Sequence, residues 1–466
     1  MLLDVIIYYN FIVLFYFLAL NFFYVFLLLS ATDTLFYYKR NRQLIYNKRE
    51  TKALAPSIAI LAPAYNEEPT IVESVRSLLH VDYPELEVIV INDGSKDKTF
   101  EVMKEFYKLF PMARALDARI STQPVKAVYQ SAVDSRLIVI DKNNGGKADS
   151  LNAGINYSRS RLFCAIDADS LIEKDALNRL MQFYTERETK IVALGGVVRI
   201  ANDCRIENGE VIEARVPRKF LPAMQVMEYI RAFLCGRAGW NKFNSLLIIS
   251  GAFGLFERKS VVEAGGYRTD TVGEDMELVV RLHRTMREQK RRYKVLFVPD
   301  PVCWTQAPES LKVLGRQRNR WQRGLIETML HHWKMIGNPR YGFSGIVAMP
   351  YFLLFEILGP VMELSGYVVV ILSFAFGWIN ITFLILFLAL AILFGVLLSL
   401  FSLLLEEFTL KRYENPWDVL KLFLLAIIEN FGYRQLHSWW RLKAIFDLLR
   451  KKKSWGEMQR KAFVQL

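Results

Sequence analysis

Residues 57–69 read Ser-Ile-Ala-Ile-Leu-Ala-Pro-Ala-Tyr-Asn-Glu-Glu-Pro, a short apolar run that passes directly into a polar loop. An apolar run of this length that ends near a proline is typical of a buried β-strand. Helical periodicity follows over residues 70–79. The stretch therefore predicts one strand–loop–helix unit, the building block of an α/β domain.

The same unit recurs three times further along the chain. Strands are predicted over residues 87–91, 136–140 and 162–166, each followed by a polar loop and a helix. Four such units predict a Rossmann-like, mainly parallel sheet with helices on both faces. Further strands are predicted over residues 191–200 and 293–298, whereas residues 111–135 show no period and are predicted to be irregular.

Acidic and amide side chains stand at three of the predicted strand ends. They are Asn66-Glu67, Asn92-Asp93 and Asp167-Ala168-Asp169. In open α/β sheets, ligands bind at the carboxyl ends of the strands, so these clusters can converge in space. Two acids beside a nucleotide would suit a hard divalent cation. Taken alone, helix capping explains Asp169 more simply, and turn formation explains Asp93 more simply.

Two further clusters are candidates for chemistry. Glu274-Asp275 follows Gly273, and a carboxylate near a sugar acceptor can take a hydroxyl proton as a general base. Acids in the first turn of a helix are also favoured by the helix dipole alone. Lys147 follows two glycines and could meet a diphosphate, helped by exposed backbone amides. This motif is not a Walker A motif, because the spacer and the Ser or Thr after the lysine are missing.

The stretch Gly315-Arg-Gln-Arg-Asn-Arg-Trp-Gln-Arg-Gly324 lies where the chain changes from soluble to apolar sequence. If Pro308 opens a helix, Gln317, Arg320 and Trp321 fall on one face of that helix. An amide and an indole suit a sugar ring, and a guanidinium suits a diphosphate. A basic helix that lies on anionic lipid is the alternative explanation.

The chain has 466 residues and is 52% hydrophobic, which suits one large soluble domain plus a membrane part. Residues 5–30 carry no charged side chain and are long enough to span a bilayer. This run is too long for the core of a secretory signal peptide. Residues 360–378 and 379–405 are predicted as two further spans, after an interfacial or half-membrane helix. Residues 416–440 fit either a membrane-surface helix or another span.

The formal charge is +13, and many basic residues flank the apolar runs instead of forming a basic face on a soluble module. This distribution argues against nucleic-acid binding. Basic clusters within residues 39–52 and 441–453 follow the first and last apolar runs. The positive-inside rule therefore places the soluble domain in the cytoplasm, as part of a multi-pass cell-membrane protein. The four cysteines form no metal-ligand pattern, which agrees with a reducing cytosol.

These observations divide the chain into five predicted parts. They are an N-terminal transmembrane helix (1–33), a cytosolic α/β domain (50–305), an interfacial helix (306–340), a set of transmembrane and interfacial helices (341–440) and a basic cytosolic tail (441–466). No internal repeat or low-complexity segment is found in the sequence.

Seven short motifs follow one another along the chain. They are Pro63-Ala-Tyr-Asn-Glu67, Asn92-Asp-Gly-Ser95, Gly146-Lys-Ala148 with Leu151-Asn-Ala-Gly154, Asp167-Ala-Asp169, Ser250-Gly251, Gly273-Glu-Asp275 and Gln317-Arg-Asn-Arg-Trp321. In this order the motifs resemble those of the processive family-two glycosyltransferases, the membrane synthases of cellulose, hyaluronan, chitin and poly-N-acetylglucosamine. The resemblance covers about residues 55–325 and extends to the flanking membrane segments. It implies a GT-A fold, a UDP-sugar donor, and Mg²⁺ or Mn²⁺.

The resemblance also implies a role for each motif residue. The uridine contacts would be Tyr65, Glu67 and Asp93, and the diphosphate contacts would be Lys147 and Arg320. The metal ligands would be Asp169 and Asp167, and Asp167 would also face the donor. The catalytic acids would be Asp275 and Glu274, and the acceptor contacts would be Ser250, Gly251, Gln317 and Trp321. Asp275 would be the general base that activates the acceptor hydroxyl for an inverting displacement. The helix with Gln317 and Trp321 would be the acceptor-site helix at the mouth of the channel.

The tail carries a weaker match. Ser454-Trp455-Gly456 resembles the lid of hyaluronan and chitin synthases, which closes over the nucleotide. The following Glu457-Met458 departs from that lid, which has threonine and a basic residue there. Trp455 is therefore a candidate nucleotide contact, with an interfacial membrane anchor as the alternative.

We therefore expect a processive inverting glycosyltransferase. It would add sugars from a cytosolic UDP-sugar to a growing polysaccharide and pass the polymer through its own membrane helices, with accessory export subunits as further partners. The first alternative is a transferase that puts a single sugar on a polyprenyl phosphate, which would not need the acceptor motif at residues 317–321. The second alternative is a non-catalytic nucleotide-sugar sensor or export partner, which would not need the acids at positions 167, 169 and 275. The resemblance alone favours poly-N-acetylglucosamine as the product.

Overall fold

A computed structural model describes residues 2–47, 55–168, 170–185, 189–207, 209–378 and 380–450. Two residues with predicted roles, Asp169 and Trp455, lie outside the described residues. All other predicted site residues lie within them, so their positions can be compared with the expectations above.

The soluble part is built around one large sheet. The strands of the described residues are β1 (Ile58–Ala64), β2 (Leu86–Asp93), β3 (Leu109–Pro111), β4 (Val125–Ser131), β5 (Leu137–Lys142), β6 (Leu162–Ala165), β7 (Leu171–Ile172), β8 (Ile191–Ile200), β9 (Arg205–Glu207), β10 (Glu210–Glu213), β11 (Gly254–Glu257) and β12 (Lys294–Thr305). Ten of them form a mixed sheet in the order β3-β4-β5-β2-β1-β6-β11-β8-β12-β7. Strands β9 and β10 pair separately as an antiparallel hairpin.

The centre of the large sheet is parallel, because β1 pairs in parallel with β2 and β6, and β2 pairs in parallel with β5. These four strands are the four predicted strand–loop–helix units, so the α/β prediction is confirmed. Antiparallel strands flank this centre, with β4 on β5 at one side and β11 on β6 at the other. The expectation that residues 111–135 are irregular is wrong, because β4 lies there. Its sequence Val-Lys-Ala-Val-Tyr-Gln-Ser is half polar and mostly half-exposed, so it has no apolar run to reveal it.

Sixteen α-helices lie in the described residues. They are α1 (Leu2–Asn47), α2 (Ile71–Leu79), α3 (Thr99–Phe106), α4 (Lys147–Tyr157), α5 (Ala176–Thr185), α6 (Phe220–Tyr229), α7 (Arg237–Asn241), α8 (Arg258–Glu263), α9 (Glu274–Glu288), α10 (Leu311–His331), α11 (Met349–Tyr351), α12 (Gly359–Ala375), α13 (Ile381–Leu388), α14 (Phe394–Thr409), α15 (Pro416–Ile428) and α16 (Tyr433–Leu449). Wider π-helical turns occupy Ile230–Gly236, Ser344–Ala348, Phe352–Ile357 and Ala389–Leu393. Short 3₁₀ turns occupy Trp333–Met335 and Pro339–Tyr341.

Helix α4 shows how the sequence places a candidate site residue. Its small residues allow it to lie directly on the sheet: a Cβ added to Gly154 would stand only 3.0 Å from a methyl group of Leu61 on β1 and 3.2 Å from Ile91 on β2. The helix begins at Lys147, immediately after Gly146, whose φ of +86° favours glycine. The close packing therefore holds Lys147 at the carboxyl ends of the central strands.

Helix α10 begins three residues after the predicted start at Pro308. Ser310 caps it, because the Ser310 side chain accepts a hydrogen bond from the backbone N–H of Val313. The helix packs along α16, and a Cβ on Gly315 would stand 2.8 Å from Nε1 of Trp440. This contact fixes the predicted acceptor helix against the last helix of the described chain.

A backbone contact joins α10 to the start of α9. A Cβ on Gly273 would stand 2.7 Å from the Cα atom of Gly324, and a Cβ on Gly324 would stand 2.6 Å from the Cα atom of Gly273. Neither position has room for a side chain. The Glu274-Asp275 pair, which follows Gly273, is therefore held at a fixed distance from α10.

Three helical segments in the described residues are long and apolar enough to cross a membrane. They are Asp4–Asn41, Ser344–Ala375 and Ile381–Thr409, and they identify a membrane part. Helix α1 continues well beyond the predicted end at residue 33. Residues 344–375 form one continuous helical segment, where an interfacial helix and a separate span were predicted. The π-helical turns keep this segment helical around Pro350 and the Gly359–Pro360 pair.

Candidate active site

The first two strand ends are tied together by their loops. Asn66 follows β1 with a φ of +57°, which turns the chain back toward the loop after β2. Its Oδ1 accepts a hydrogen bond from the backbone N–H of Lys96 (2.9 Å), and the backbone N–H of Glu67 donates to Oγ1 of Thr99 (2.8 Å). Tyr65 remains 40% exposed, whereas Glu67 is buried. The predicted uridine contacts Tyr65 and Glu67 thus lie beside the end of β2.

Asp93, at the end of β2, holds the glycine loop in place. Its Oδ1 accepts from the backbone N–H of Gly145 (2.9 Å), and its Oδ2 accepts from the backbone N–H of Gly146 (2.8 Å). The fully buried Lys142 bridges Asp93 and Asp149, with 2.7 Å between its Nζ and a carboxylate oxygen of each. Asp93 therefore shapes the loop that leads into Lys147. Taken alone, the sequence around Asp93 predicts only a turn.

Lys147 lies at the centre of the candidate site. Its Nζ donates to a carboxylate oxygen of Asp167, at the end of β6, and to the backbone oxygen of Gly251 (3.2 Å). Burial lowers the pKa of Lys147, but the carboxylates of Asp167, Glu274 and Asp275 outweigh burial and hold its pKa above the ordinary range. Lys147 is therefore a fixed cation surrounded by acids from different parts of the chain.

Gly251 connects this cation with the acids of α9. The backbone N–H of Gly251 donates to Oδ2 of Asp275 (3.0 Å), and Oδ1 of Asp275 accepts from the backbone N–H of Met276 (2.8 Å). A Cβ on Gly251 would stand 3.1 Å from Nζ of Lys147 and 3.5 Å from Oδ2 of Asp275. The Ser250-Gly251 turn thus lies between the predicted diphosphate cation and the predicted base, and its small size permits both contacts.

Glu274 is the more enclosed of the two acids. Burial is the main cause that raises the pKa of Glu274 above its usual value, and Lys147 opposes that shift. Arg320 on α10 also acts on this carboxylate in the same direction as Lys147. The structure therefore brings Arg320 and Lys147 into one electrostatic environment, although 173 positions in the sequence separate them.

Trp321, on α10, is 36% exposed. The guanidinium carbon of Arg318 lies 4.1 Å from the centre of the Trp321 ring, and the Phe233 ring packs at 5.8 Å with a tilt of 46°. The amide oxygen of Gln317 accepts from Nη1 of Arg318 (2.7 Å). A sugar ring would therefore meet the part of Trp321 that Arg318 leaves open.

Seven of the predicted site residues thus form two neighbouring groups. Lys147, Asp167, Gly251 and Asp275 contact one another directly, as described above. Tyr65, Glu67 and Asp93 form the second group, which joins the first through the Gly145-Gly146 loop. The first group can hold a negatively charged leaving group beside a carboxylate that accepts a proton.

Several charged residues around the site were not found by sequence reasoning. Nη2 of Arg318 donates to Oε2 of the buried Glu228 (2.7 Å), and Arg441 pairs with Glu356 at the same distance. Buried Arg237 stacks on Phe233, with 4.4 Å between the guanidinium carbon and the ring centre. The partners of the two ion pairs are 85 and 90 positions apart in the sequence, so no local spacing connects them.

The metal prediction rests on Asp167 and Asp169. The carboxylate of Asp167 is partly exposed at a strand end, and its oxygen atoms are donors that Mg²⁺ and Mn²⁺ accept. In the parts of the chain that the structure describes, no cluster of three or more His, Cys, Asp or Glu side chains could hold a metal ion. Because Asp169 lies outside these parts, Asp167 is the one predicted ligand whose position is described, and its donor chemistry fits a hard cation.

Comparison with known proteins gives a consistent family. The family model described as "Glycosyltransferase like family 2" matches residues 55–324. A poly-beta-1,6-N-acetyl-D-glucosamine synthase of Staphylococcus epidermidis is 28% identical over 305 residues, which are 65% of this chain and 61% of the relative. The synthase of the same name from Staphylococcus aureus strain COL is 28% identical over 298 residues, which are 63% of this chain and 61% of the relative. The chain thus matches less than two thirds of the length of these curated relatives.

Among solved structures, a mannosyltransferase from Pyrobaculum calidifontis in complex with GDP-Man and Mn²⁺ is similar to this chain. It is 16% identical, the TM-score is 0.49, and the alignment covers 89% of this chain and 99% of the mannosyltransferase. TarS residues 1–349 of S. aureus, in complex with UDP-GlcNAc, is 13% identical with a TM-score of 0.39, and the alignment covers 81% of this chain and 92% of TarS.

Proposed function

Because the chain belongs to glycosyltransferase-like family 2, we propose that it is a processive inverting hexosyltransferase that builds a polysaccharide from a UDP-sugar. Its soluble part is a GT-A domain, and three segments in the described residues can cross a membrane. The observation that carries the proposal is the contact of Asp275 and Lys147 through Gly251. This contact supports the proposal, because it joins a carboxylate suited to accept a proton to a cation suited to hold a diphosphate.

In the proposed reaction, a carboxylate oxygen of Asp275 accepts the proton of an acceptor hydroxyl. The freed oxygen attacks the anomeric carbon of the donor sugar, and the bond from that carbon to the diphosphate breaks on the opposite side, which inverts the configuration. Lys147 and Arg320 balance the charge of the departing UDP. Gly251, Gln317 and Trp321 position the acceptor sugar.

The donor would occupy the carboxyl ends of the central strands. Tyr65, Glu67 and Asp93 remain the proposed uridine contacts, and the loop that Asp93 holds supports this location. Asp167 and Asp169 would hold Mg²⁺ or Mn²⁺, which when bound neutralises part of the diphosphate charge. Trp455 remains a proposed nucleotide contact from the tail.

The position of α10 supports polymer formation over single transfer. The proposed acceptor helix contacts the catalytic acids through Gly273 and Gly324, and the segment Ser344–Ala375 follows soon after it. The polymer would thus leave the catalytic site toward the membrane helices. We further propose a multi-pass arrangement with a cytoplasmic catalytic domain, based on the flanking basic clusters.

The sugar is proposed from the relatives. Both cited synthases are named for poly-beta-1,6-N-acetyl-D-glucosamine, which favours UDP-N-acetylglucosamine as donor. Accessory export subunits are proposed as partners, because a polysaccharide made by a chain with candidate membrane spans would have to cross that membrane. Single transfer to polyprenyl phosphate remains the second candidate, because it needs the same donor residues.

The test uses the full chain in lipid nanodiscs with Mg²⁺ or Mn²⁺. A panel of labelled UDP-sugars is offered, and the products are separated by size. Long products from UDP-N-acetylglucosamine are expected. A single sugar in the lipid fraction would instead establish the polyprenyl-phosphate transferase. Donor binding without turnover would remove the enzymatic proposal and leave the sensor.

A further inference from the structure

Arg237 is a buried cation whose guanidinium has no hydrogen-bond acceptor among the described residues. Only 5% of its surface is exposed. It stacks on Phe233, yet within the described residues its guanidinium donates no hydrogen bond. Buried polar groups in folded proteins are nearly always hydrogen-bonded, and an unpaired buried donor is costly. A guanidinium that carries five N–H donors in this state is suited to a ligand.

The location of Arg237 connects the catalytic acids with the membrane part. Oγ1 of Thr34 on α1 donates to the backbone oxygen of Ala238 (3.2 Å), and a Cβ on Gly239 would stand 2.6 Å from the backbone oxygen of Leu27. Helix α7 is therefore packed directly against the first membrane helix. Arg237, at the first position of α7, lies on the boundary between the α/β domain and the membrane helices.

The surroundings of Arg237 are those of the acceptor side. Phe233, on which it stacks, is also in contact with Trp321 on α10. Burial lowers the pKa of Arg237 to about 10, and the carboxylate of Asp275 opposes this shift, so the two side chains are close enough to interact. A pKa of about 10 leaves the guanidinium charged at neutral pH. Arg237 thus packs on the ring that also contacts the proposed acceptor platform, and its charge interacts with that of the proposed base.

We propose that Arg237 binds the acceptor saccharide, by donating hydrogen bonds to its oxygen atoms where the chain end passes from Asp275 toward the membrane helices. This inference rests on the proposed function and adds a residue to it. The planar guanidinium can donate hydrogen bonds to two oxygen atoms of one sugar at once, and a lysine ammonium group lacks this geometry. Phe233 and Trp321 provide the apolar surface next to that fork.

The proposal is tested with Arg237→Lys and Arg237→Gln in nanodiscs. The measured quantities are KM and kcat for added acceptor oligosaccharide, KM for the UDP-sugar, and the rate of donor hydrolysis without acceptor. Both variants should raise the acceptor KM about tenfold or more, because hydrogen bonds from a charged donor are lost. Donor KM and donor hydrolysis should stay within about twofold of wild type.

Arg258→Lys is the matched control. Arg258 is also largely enclosed, but its donors are held by the backbone oxygen of Ile155 (2.8 Å) and by Asp117 (2.9 Å). Its acceptor KM should equal that of wild type. The unfolding temperature of every variant is recorded, so that a loss of folding in Arg237→Gln is separated from a loss of binding. If Arg237→Gln does not fold, the acceptor KM of Arg237→Lys alone tests the proposal.

Two results would overturn the proposal. An acceptor KM unchanged in Arg237→Lys would show that charge alone matters, not the fork. An equal loss of donor binding and acceptor binding would place Arg237 in the donor site or in the fold. If the wild type itself elongates no acceptor while still hydrolysing donor, the polymerase function fails instead, and the two failures are thereby distinguished.

Discussion

Arg318 and Arg237 lie at the two ends of one aromatic contact, and their surroundings differ. Arg318 stacks on Trp321 and is 3% exposed, whereas Arg237 stacks on Phe233 and is 5% exposed. Arg318 has hydrogen bonds to Glu228 and Gln317, each at 2.7 Å. Arg237 has none within the described residues. Both side chains are buried to a similar extent, but among the described residues only Arg318 has hydrogen-bond acceptors.

The difference separates a structural cation from one available to a ligand. Around Arg318, Glu228 also accepts from the hydroxyl of Tyr433 (3.0 Å), so three helices meet in one charged, hydrogen-bonded network. Such a network holds helices in register. At the other end, the backbone N–H groups of Gly251 and Met276 hold Asp275, and the ring of Phe233 packs on Arg237. Functional sites are where proteins tolerate such incomplete pairing. Substitutions at the Arg318 end should therefore affect stability, and substitutions at the other end should affect turnover.

The largest effect is expected for Asp275→Asn, at the Arg237 end. The amide cannot accept the hydroxyl proton, so sugar transfer should fall about 10²- to 10⁴-fold. UDP binding and the unfolding temperature should be nearly unchanged, because Asn keeps the size of the side chain. Incorporation of labelled sugar and calorimetric titration with UDP measure both quantities. Asp270→Asn, an exposed acid that pairs with Arg268 at the surface, is the control. Retained turnover would remove Asp275 from the role of base.

The next largest effect is expected for Glu228→Gln, at the Arg318 end. It leaves Arg318 buried without its charge partner, which should destabilise the protein by about 3–5 kcal/mol. The free energy of unfolding in detergent, from denaturant titration, measures this loss. The double variant Glu228→Leu with Arg318→Leu removes both charges and should be clearly less destabilised. If the single and double variants lose the same stability, the pair does not hold these helices.

His283 extends the comparison to a buried base that is kept neutral. Its ring lies between the hydroxyl of Tyr293 (2.7 Å) and the backbone oxygen of Leu246 (2.9 Å), with Ser344 at 3.5 Å. Burial lowers the pKa of His283 from 6.5 to about 4; the Leu246 oxygen opposes this shift, and Arg287 adds to it.

The sign of the resulting pH dependence follows from that depressed pKa. Between pH 6.5 and pH 4 the unfolded state binds the extra proton, so stability present above this range is lost as the pH falls. From about pH 7 to about pH 5 the loss from this group should be about 2 kcal/mol. The unfolding free energy of wild type and His283→Asn is measured at both pH values. Equal pH dependence in the two proteins would contradict a neutral buried imidazole.

The smallest effect is expected for Trp321→Ala, between the two arginines. Elongation should fall roughly tenfold, equivalent to about 1.4 kcal/mol, because the acceptor loses its stacking surface. Donor hydrolysis should fall less. The ratio of polymer length to UDP released measures the difference, and Trp333→Ala, an exposed tryptophan beyond the end of α10, is the control. An equal loss of elongation and hydrolysis would count against an acceptor platform.

The sequence predicted the centre of the fold well, because that part depends on local patterns. Strands β1, β2, β5 and β6 are apolar runs with polar loops after them, and the parallel order follows from their repetition. The strand-end rule predicted that the polar clusters at residues 66–67, 92–93 and 167–169 can converge, but it did not pair Lys147 with Asp167. Strand β4 could not be found in the same way, since a half-exposed strand next to the edge of the sheet carries no continuous apolar signal.

The contacts that complete the site depend on partners far apart in the chain. Gly251 meets both Lys147 and Asp275, and Glu228 meets Arg318, across 24 to 104 positions. Periodicity reports which face a residue occupies, not which distant residue it meets. Nothing in the sequence indicated Arg237. Its burial without a hydrogen-bond acceptor among the described residues is visible only in the packing.

The contact of Gly273 with Gly324 has a mechanical consequence. Two side chains can absorb a displacement by changing rotamer, but two backbones that touch cannot. A displacement of α10 is therefore transmitted directly to the first turn of α9. If the proposed product presses on α10 as it lengthens, Asp275 would shift with it, so the load on the exit path would reach the proposed proton acceptor directly. The glycine pair would then act as a rigid strut between the proposed acceptor helix and the proposed base.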